Sequence, residues 1–517
     1  MVIIENPKII FINLYITKAQ SYMKNILLLS CFLFTSYFLS SQPIDFLHKD
    51  VGPVTHPGYF KFDAEDHVYY LAGAGHNIWG NTDGFSFAYL QMTGNFILTT
   101  SLKILGEGGD PHRKAGLMVR EGLQPNAAYA DAVVHGDGLT SLQYRLQKGR
   151  ETAEITNSKV HNAYTLRIEK IDSTIIMYAA QAGKPMQKIG NVAINFSEEF
   201  YIGLIISAHQ QEGFEQAKFF NTRLTVPVEA AKNKQKITSR LETINIHTGV
   251  RKIIFDNQQH FEAPNWSPDG SFIFNSNGLL YRLHPEKDGP QEINTGFANR
   301  CNNDHGISLD GKTLAISHRS DETNNSIIYT LPITGGVPDQ VTEKGPSYWH
   351  GWSPDGSKVT YCAERNGEYD VYTSPVTGGR EKRLTTSKGL DDGPEYTADG
   401  QYIYFNSVRT GKMQIWRMKP DGSDQEQMTF DIYNDWFPHP SPDGKWVAFI
   451  SYEDEVEPGN HPGNKKVMLR IMPLEGGEPK ILAYIYGGQG TINVPSWSPE
   501  SNDIAFVSYT YRTKKNE

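Results

Sequence analysis

Cysteine is scarce, with three residues in a chain of 517, so a disulfide framework cannot carry the fold. Basic residues are outnumbered, 49 Lys and Arg against 58 Asp and Glu, for a net charge of −9. No global positive field is then available to recruit nucleic acid or anionic lipid. Long apolar runs are missing downstream of residue 40, and the AVILMFWYC set makes up only 38% of the chain. That excludes a multi-span helical membrane protein while leaving enough apolar material for real cores. Several enzyme signatures are absent too. There is no G-x-S-x-G for a hydrolase nucleophile, and neither G-x-G-x-x-G nor G-x-x-x-x-G-K-[ST] for nucleotide chemistry.

What is plentiful points to one class. The 47 Gly, 28 Pro, 27 Tyr and 25 Phe favour short strands and many turns, an all-β chain. At about 150 residues per domain, the length predicts about three domains or two large ones. The N-terminus reads as an address. Met23-Lys24-Asn25 precedes an apolar stretch over residues 26–39 that ends in Ser40-Ser41-Gln42, the pattern of a secretory leader. Translation is expected to start at Met23, with residues 1–22 an upstream artefact; the rival reading is an anchor built from this stretch and a second apolar patch, Ile9 to Ile16. The mature chain then has no membrane span and keeps Cys301 and Cys362, whose pairing is left open.

The second half is a repeat. Ser267-Pro268-Asp269-Gly270 recurs at Ser308, Ser353, Thr397 and Ser441, and a degraded Ser498-Pro499-Glu500-Ser501 closes the series. The steps are 41, 45, 44, 44 and 57 residues. Pro presets φ for the turn, Asp bonds the backbone ahead, and Gly accepts the positive φ that ends the hairpin. A β-rich run follows each turn, such as Tyr402-Ile403-Tyr404-Phe405, and then a second hairpin. Four strands per unit of this length is a propeller blade, so six turns predict six blades. The hairpin over residues 240–255 precedes the first turn, and the last unit stops after one hairpin. The two ends are therefore expected to share one blade and close the ring. These turns and strands resemble the TolB-type six-bladed propeller, over residues 237–517.

Residues 43–226 lack the repeat and alternate strand runs with turns, which predicts a β-sandwich. The run His112-Arg113-Lys114-Ala115-Gly116-Leu117-Met118-Val119-Arg120 and the closing Phe219-Phe220-Asn221-Thr222-Arg223-Leu224 are similar to the concanavalin-A-like lectin/glucanase jelly roll. That resemblance implies glycan binding, for which Trp79, His135 and Asp137 are the candidates. A Glu-x-Asp-x-x-Glu run is missing, which argues against glycoside hydrolysis by this half. The expected organisation is a leader segment over 1–42, a sandwich over 43–226, a linker over 227–236 and a propeller over 237–517.

In a propeller the segment ahead of the inner strand reaches the central channel. Ahead of the six turns stand Glu262, Asn303, Asp304, His305, Trp349, His350, Asp391, Asp392, Glu395, Asp435, Trp436, His439, Gln489 and Asn493. Blade symmetry is expected to bring three imidazoles and several carboxylates to one mouth. No cofactor is required by the sequence, but His with carboxylate or amide oxygen suits Mn or Zn, and acidic rings suit Ca. Oligogalacturonate lyases are similar propellers. That resemblance implies an axial metal here on His305, His350, His439 and Gln489, and β-elimination on uronate saccharides; no base can be assigned, and that family has seven blades. The favoured reading is a periplasmic or secreted binding module for extracytoplasmic glycan or protein. The alternatives are that metal-dependent enzyme and an envelope scaffold touching only protein. Nucleic acid is not an expected partner, and the oligomeric state is left open.

Overall fold

A computed structural model describes residues 44–157, 159–228, 236–287, 289–453 and 455–512. The leader and most of the predicted linker lie outside these residues. Every element among the described residues is a strand, and no helix there is long and apolar enough to cross a membrane.

The first half is a sandwich of two antiparallel sheets. One runs in the order Leu47–Val51, Thr82–Thr93, Glu199–Ser207, Lys114–Arg120, Tyr129–His135, Thr140–Arg145 and Ala153–Thr156, with Asn77–Trp79 folded back on Thr82–Thr93. The other sheet is built around Phe96–Leu105, Thr165–Ile171 and Gln210–Thr225. Alternation along a strand sends Ala115, Leu117 and Val119 into the core between the sheets, against Leu98, Leu166 and Phe219. The intervening Lys114, Met118 and Arg120 face the opposite side. That side is also covered, by Phe85, Phe87, Tyr129 and Ile78. Within it Asp83 accepts hydrogen bonds from Arg145 at 2.7 and 2.9 Å and from Arg120 at 3.4 Å. All three side chains are fully buried.

The second half is the predicted six-bladed propeller: five four-stranded sheets and a closing blade. In the closing blade Lys236–Asn245, from the start of the repeat, pairs with Asp503–Arg512 from its end and with Arg251–Asn257. Trp497 then bridges Ile504 on the channel side. The turns behave as their chemistry requires. The carboxylates of Asp310, Asp355, Asp399 and Asp443 each accept a 2.6 Å bond from the Ser or Thr two residues back and one from a backbone N–H two residues ahead. Gly270, Gly311, Gly356, Gly400 and Gly444 hold φ between 69° and 81°. The degraded sixth turn keeps the conformation, with Ser501 at φ 61°. Neighbouring blades pack tightly enough to demand glycine. A Cβ on Gly306 would lie 1.8 Å from the Trp349 ring of the next blade.

The sandwich is seated against the propeller, and the described residues form one compact unit. Arg167 makes a two-pronged pair with Glu453, at 2.7 and 2.9 Å. Arg223 reaches Glu242 at 2.5 Å, and the Ile481 N–H donates to Gly183 O at 3.1 Å. Cys301 and Cys362 are both buried and unpaired to one another.

Candidate functional site: the polar mouth of the propeller

The inner strands begin at Glu262, Cys301, Ser347, Asp391 and Asp435. In each of these blades the pairing with the second strand slips, between Glu262 and Asn265, Cys301 and His305, Trp349 and Gly351, Asp392 and Glu395, and Trp436 and His439. A bulge bends a strand and re-aims its side chains. At corresponding places Ala263, Gly393 and Phe437 take φ of 61°, 63° and 57°, a conformation that costs an Ala or a Phe roughly 1 kcal/mol. The strain buys a channel end that polar groups can face.

Asn303 donates to Glu262 at 3.4 Å. Asp304 accepts from Asn302 at 2.6 Å and from Asn493 at 3.2 Å, while His350 Nε2 lies 3.0 Å from Asp392 Oδ1. Burial, reinforced by the Asp304 charge, pushes Glu262 up to about 7. Burial raises Asp304 to about 6, with His350 opposing and Asp392 reinforcing that shift. For Asp392 burial is outweighed by His350, which draws the carboxyl down to about 2. His350 is raised in turn: the Asp392, Asp304 and Glu395 charges overcome the effect of burial. Near these groups Asn493 Oδ1 and the ring nitrogen Nδ1 of His461 are buried without a hydrogen-bond partner.

His461 was not among the expected site residues. It comes from the segment between Trp446–Tyr452 and Lys465–Pro473, and its ring centroid lies 4.5 Å from Trp436 and 5.4 Å from Phe437. The Asp392 and His350 charges both reach it. The signal in the sequence is the 57-residue step of the last repeat, which marks an insertion at that place.

Other expected members do not join the mouth. His305 is wholly buried, with its ring nitrogens turned to Asn303 O at 3.1 Å and Ile273 O at 3.4 Å. His439 is held between the Glu395 carboxylate at 2.6 Å and Ile492 O. Gln489 is exposed. The four expected metal ligands are thus not gathered. Among the described residues no three His, Cys, Asp or Glu side chains converge to hold a metal ion. Trp349 and Trp436 have no exposed surface because they fill the spaces between blades. Asp391 is taken by Arg409 at 2.9 Å, and Asp435 by Ser451 at 2.6 Å and Arg470 at 3.2 Å. Those two acids tie inner strands to their own blades.

In the sandwich Trp79 is 42% exposed, with Lys114 Nζ 6.0 Å from its ring. His135 is buried on the same face, 3.3 Å from both Ser141 Oγ and Gln143 Nε2, and burial lowers it to about 4. Lys114 in turn donates to Gln143 at 3.1 Å. Asp137 sits apart in a turn and accepts from the Leu139 N–H at 3.0 Å.

Fold and mouth together define a six-bladed β-propeller with a polar channel end, fused to a β-sandwich. The TolB beta propeller domain family matches residues 350–461. An uncharacterised protein of Agrobacterium fabrum is 50% identical over 273 residues, 52% of this chain and 92% of that protein. A solved TolB-type structure from Agrobacterium tumefaciens is 48% identical and covers 54% of this chain and 99% of its own, with a TM-score of 0.51. TolB from Acinetobacter baumannii is 16% identical over 67% of this chain and 81% of its own, with a TM-score of 0.39. The chain belongs to the TolB-like β-propeller proteins.

Proposed function

We propose that the protein is an extracytoplasmic binding module whose propeller mouth seats a segment of a partner protein. The observation that carries this reading is a pair of buried acids held by neutral amides rather than by cations, Glu262 by Asn303 and Asp304 by Asn302 and Asn493. Burial raises both acids, and Asn493 Oδ1 has no donor. Buried polar groups without partners are costly and mark sites completed by a ligand. A peptide that brings N–H groups or a cationic side chain supplies what the mouth lacks. The leader-like residues 23–42 support a periplasmic or secreted location. The sandwich is read as concanavalin-A-like, with the Trp79, Lys114 and His135 face as a glycan-facing surface.

The test is a random peptide library panned against the full chain, followed by affinity measurement on the Asp304→Asn and Glu262→Gln variants. Selected peptides are expected to be rich in Lys or Arg and to bind these variants at least 10-fold more weakly. Equal binding by folded variants would move the site away from the mouth.

A further inference from the structure

A cleft of about 520 Å³ lies between the sandwich and the propeller, within the roughly 300–1,000 Å³ range of small-molecule sites. Its walls are fixed before any ligand arrives. Besides the Arg167–Glu453 pair, Lys466 lies 3.3 Å from Glu169 and Lys184 2.7 Å from Glu478, all across the seam. Asn221 of the sandwich also donates to Gly249 O at 2.8 Å and accepts from the Arg251 N–H at 3.0 Å, which pins the hairpin that forms one edge.

The lining has one sign of charge. Arg251 and Lys480 contribute to it, and no Asp or Glu does, in a chain whose net charge is −9. Inside the wall one carboxylate, Glu242, serves two guanidiniums, Arg223 and Arg251. Positive charge is therefore left over there; Arg251 itself is buried, with Nη1 donating to Tyr484 O at 3.1 Å and Nη2 to Glu242 at 2.8 Å. The lining is also aromatic. Tyr164 is 37% exposed, and Trp446 and Tyr484 face it from the propeller, half-buried. Hydroxyls and an amide, from Thr99, Thr248 and Gln181, fill the spaces between the rings. Flat rings, hydroxyl partners and fixed cations suit a ligand with apolar sugar faces and acidic groups. The propeller mouth, lined by carboxylates, repels such a ligand.

We propose that this cleft binds an acidic saccharide, its pyranose rings stacked on Tyr164 and Trp446 and its carboxylate or sulfate groups held by Lys480, with the buried Arg251 adding positive field from behind the wall. The site is independent of the peptide reading of the mouth. Calorimetric titration of the full chain with a polyuronate tetrasaccharide, a sulfated tetrasaccharide and a neutral glucan tetrasaccharide tests it. One or both acidic sugars should bind, with affinity falling as salt rises, and the comparison between them tells carboxylate from sulfate recognition. Lys480→Glu, at an exposed position, should weaken binding at least 10-fold, and Tyr164→Ala several-fold. Asp304→Asn at the mouth should leave it unchanged. The proposal falls if neither acidic sugar binds, if the neutral glucan binds equally well, or if Asp304→Asn rather than Lys480→Glu abolishes binding.

Discussion

In the sandwich, Asp83 lies wholly out of water yet meets two guanidiniums, Arg145 at 2.7 Å and Arg120 at 3.4 Å. At the propeller mouth burial raises both Glu262 and Asp304 instead, and the Asp304 charge adds to the shift of Glu262. The base nearest Glu262 is His260 at 4.0 Å, and burial holds that imidazole low. His350 is already claimed by Asp392. A desolvated charge that is matched serves the fold, because the pair and its hydrogen bonds fix how strands far apart in sequence meet. A desolvated acid left unmatched lowers stability in the free protein, and such arrangements cluster where a ligand is received. The contrast therefore separates framework from site within one chain.

The largest effect is expected where matching is complete. Asp83→Ala strands two buried guanidiniums, and removing one partner from such a group costs about 3–5 kcal/mol. A large drop in the urea midpoint should follow; a loss below about 1 kcal/mol would mean that water reaches this face and that the pairing is not a framework element. Next comes the seam. Arg167 is nearly wholly buried, grips Glu453 with both arms and lies 5.3 Å from the Tyr484 ring centroid. Arg167→Ala should cost about 2–3 kcal/mol by leaving the largely buried Glu453 without its partner. Calorimetric unfolding should then split into two transitions as the sandwich uncouples from the propeller. A single transition with an unchanged midpoint would show that the other seam contacts suffice.

These features were not equally legible in the sequence. The blades could be counted because each turn announces itself locally, through a Ser or Thr, an Asp and a Gly whose φ the hairpin needs. Glu262, Asp304, His350 and Asp392 could be placed at a channel end by their offset from those turns. The bulge was invisible, since it is a slip of register between strands. Without it the residues one or two places along seemed equivalent, which is why Trp349, Trp436, Asp391 and Asp435 were grouped with the mouth when they pack or pair between strands. His305 and His439 failed for a related reason: once buried, an imidazole is satisfied by whichever carbonyl or carboxylate lies nearest, and sequence offset does not reveal that. Asp83 with Arg120 and Arg145, and the whole seam, depend on contacts between strands distant in the chain. No local pattern encodes them.

The last effect grows with pH. Glu262 titrates near 7 in the folded chain against an ordinary value of 4.5, so folding favours its protonated form. The stability it contributes is fully present below about 4.5 and is lost as pH rises through about 7. Glu262→Gln keeps an uncharged side chain of the same shape and removes that loss. Urea unfolding at pH 4 should find the two proteins nearly equal. At pH 8 the variant should be the more stable by about 3 kcal/mol. Saturating a selected basic peptide should erase the difference at pH 8 by supplying the missing positive charge to the wild-type mouth. Parallel stability curves from pH 4 to 8 would mean that Glu262 already has its counter-charge, and the distinction between the matched sandwich and the unmatched mouth would collapse.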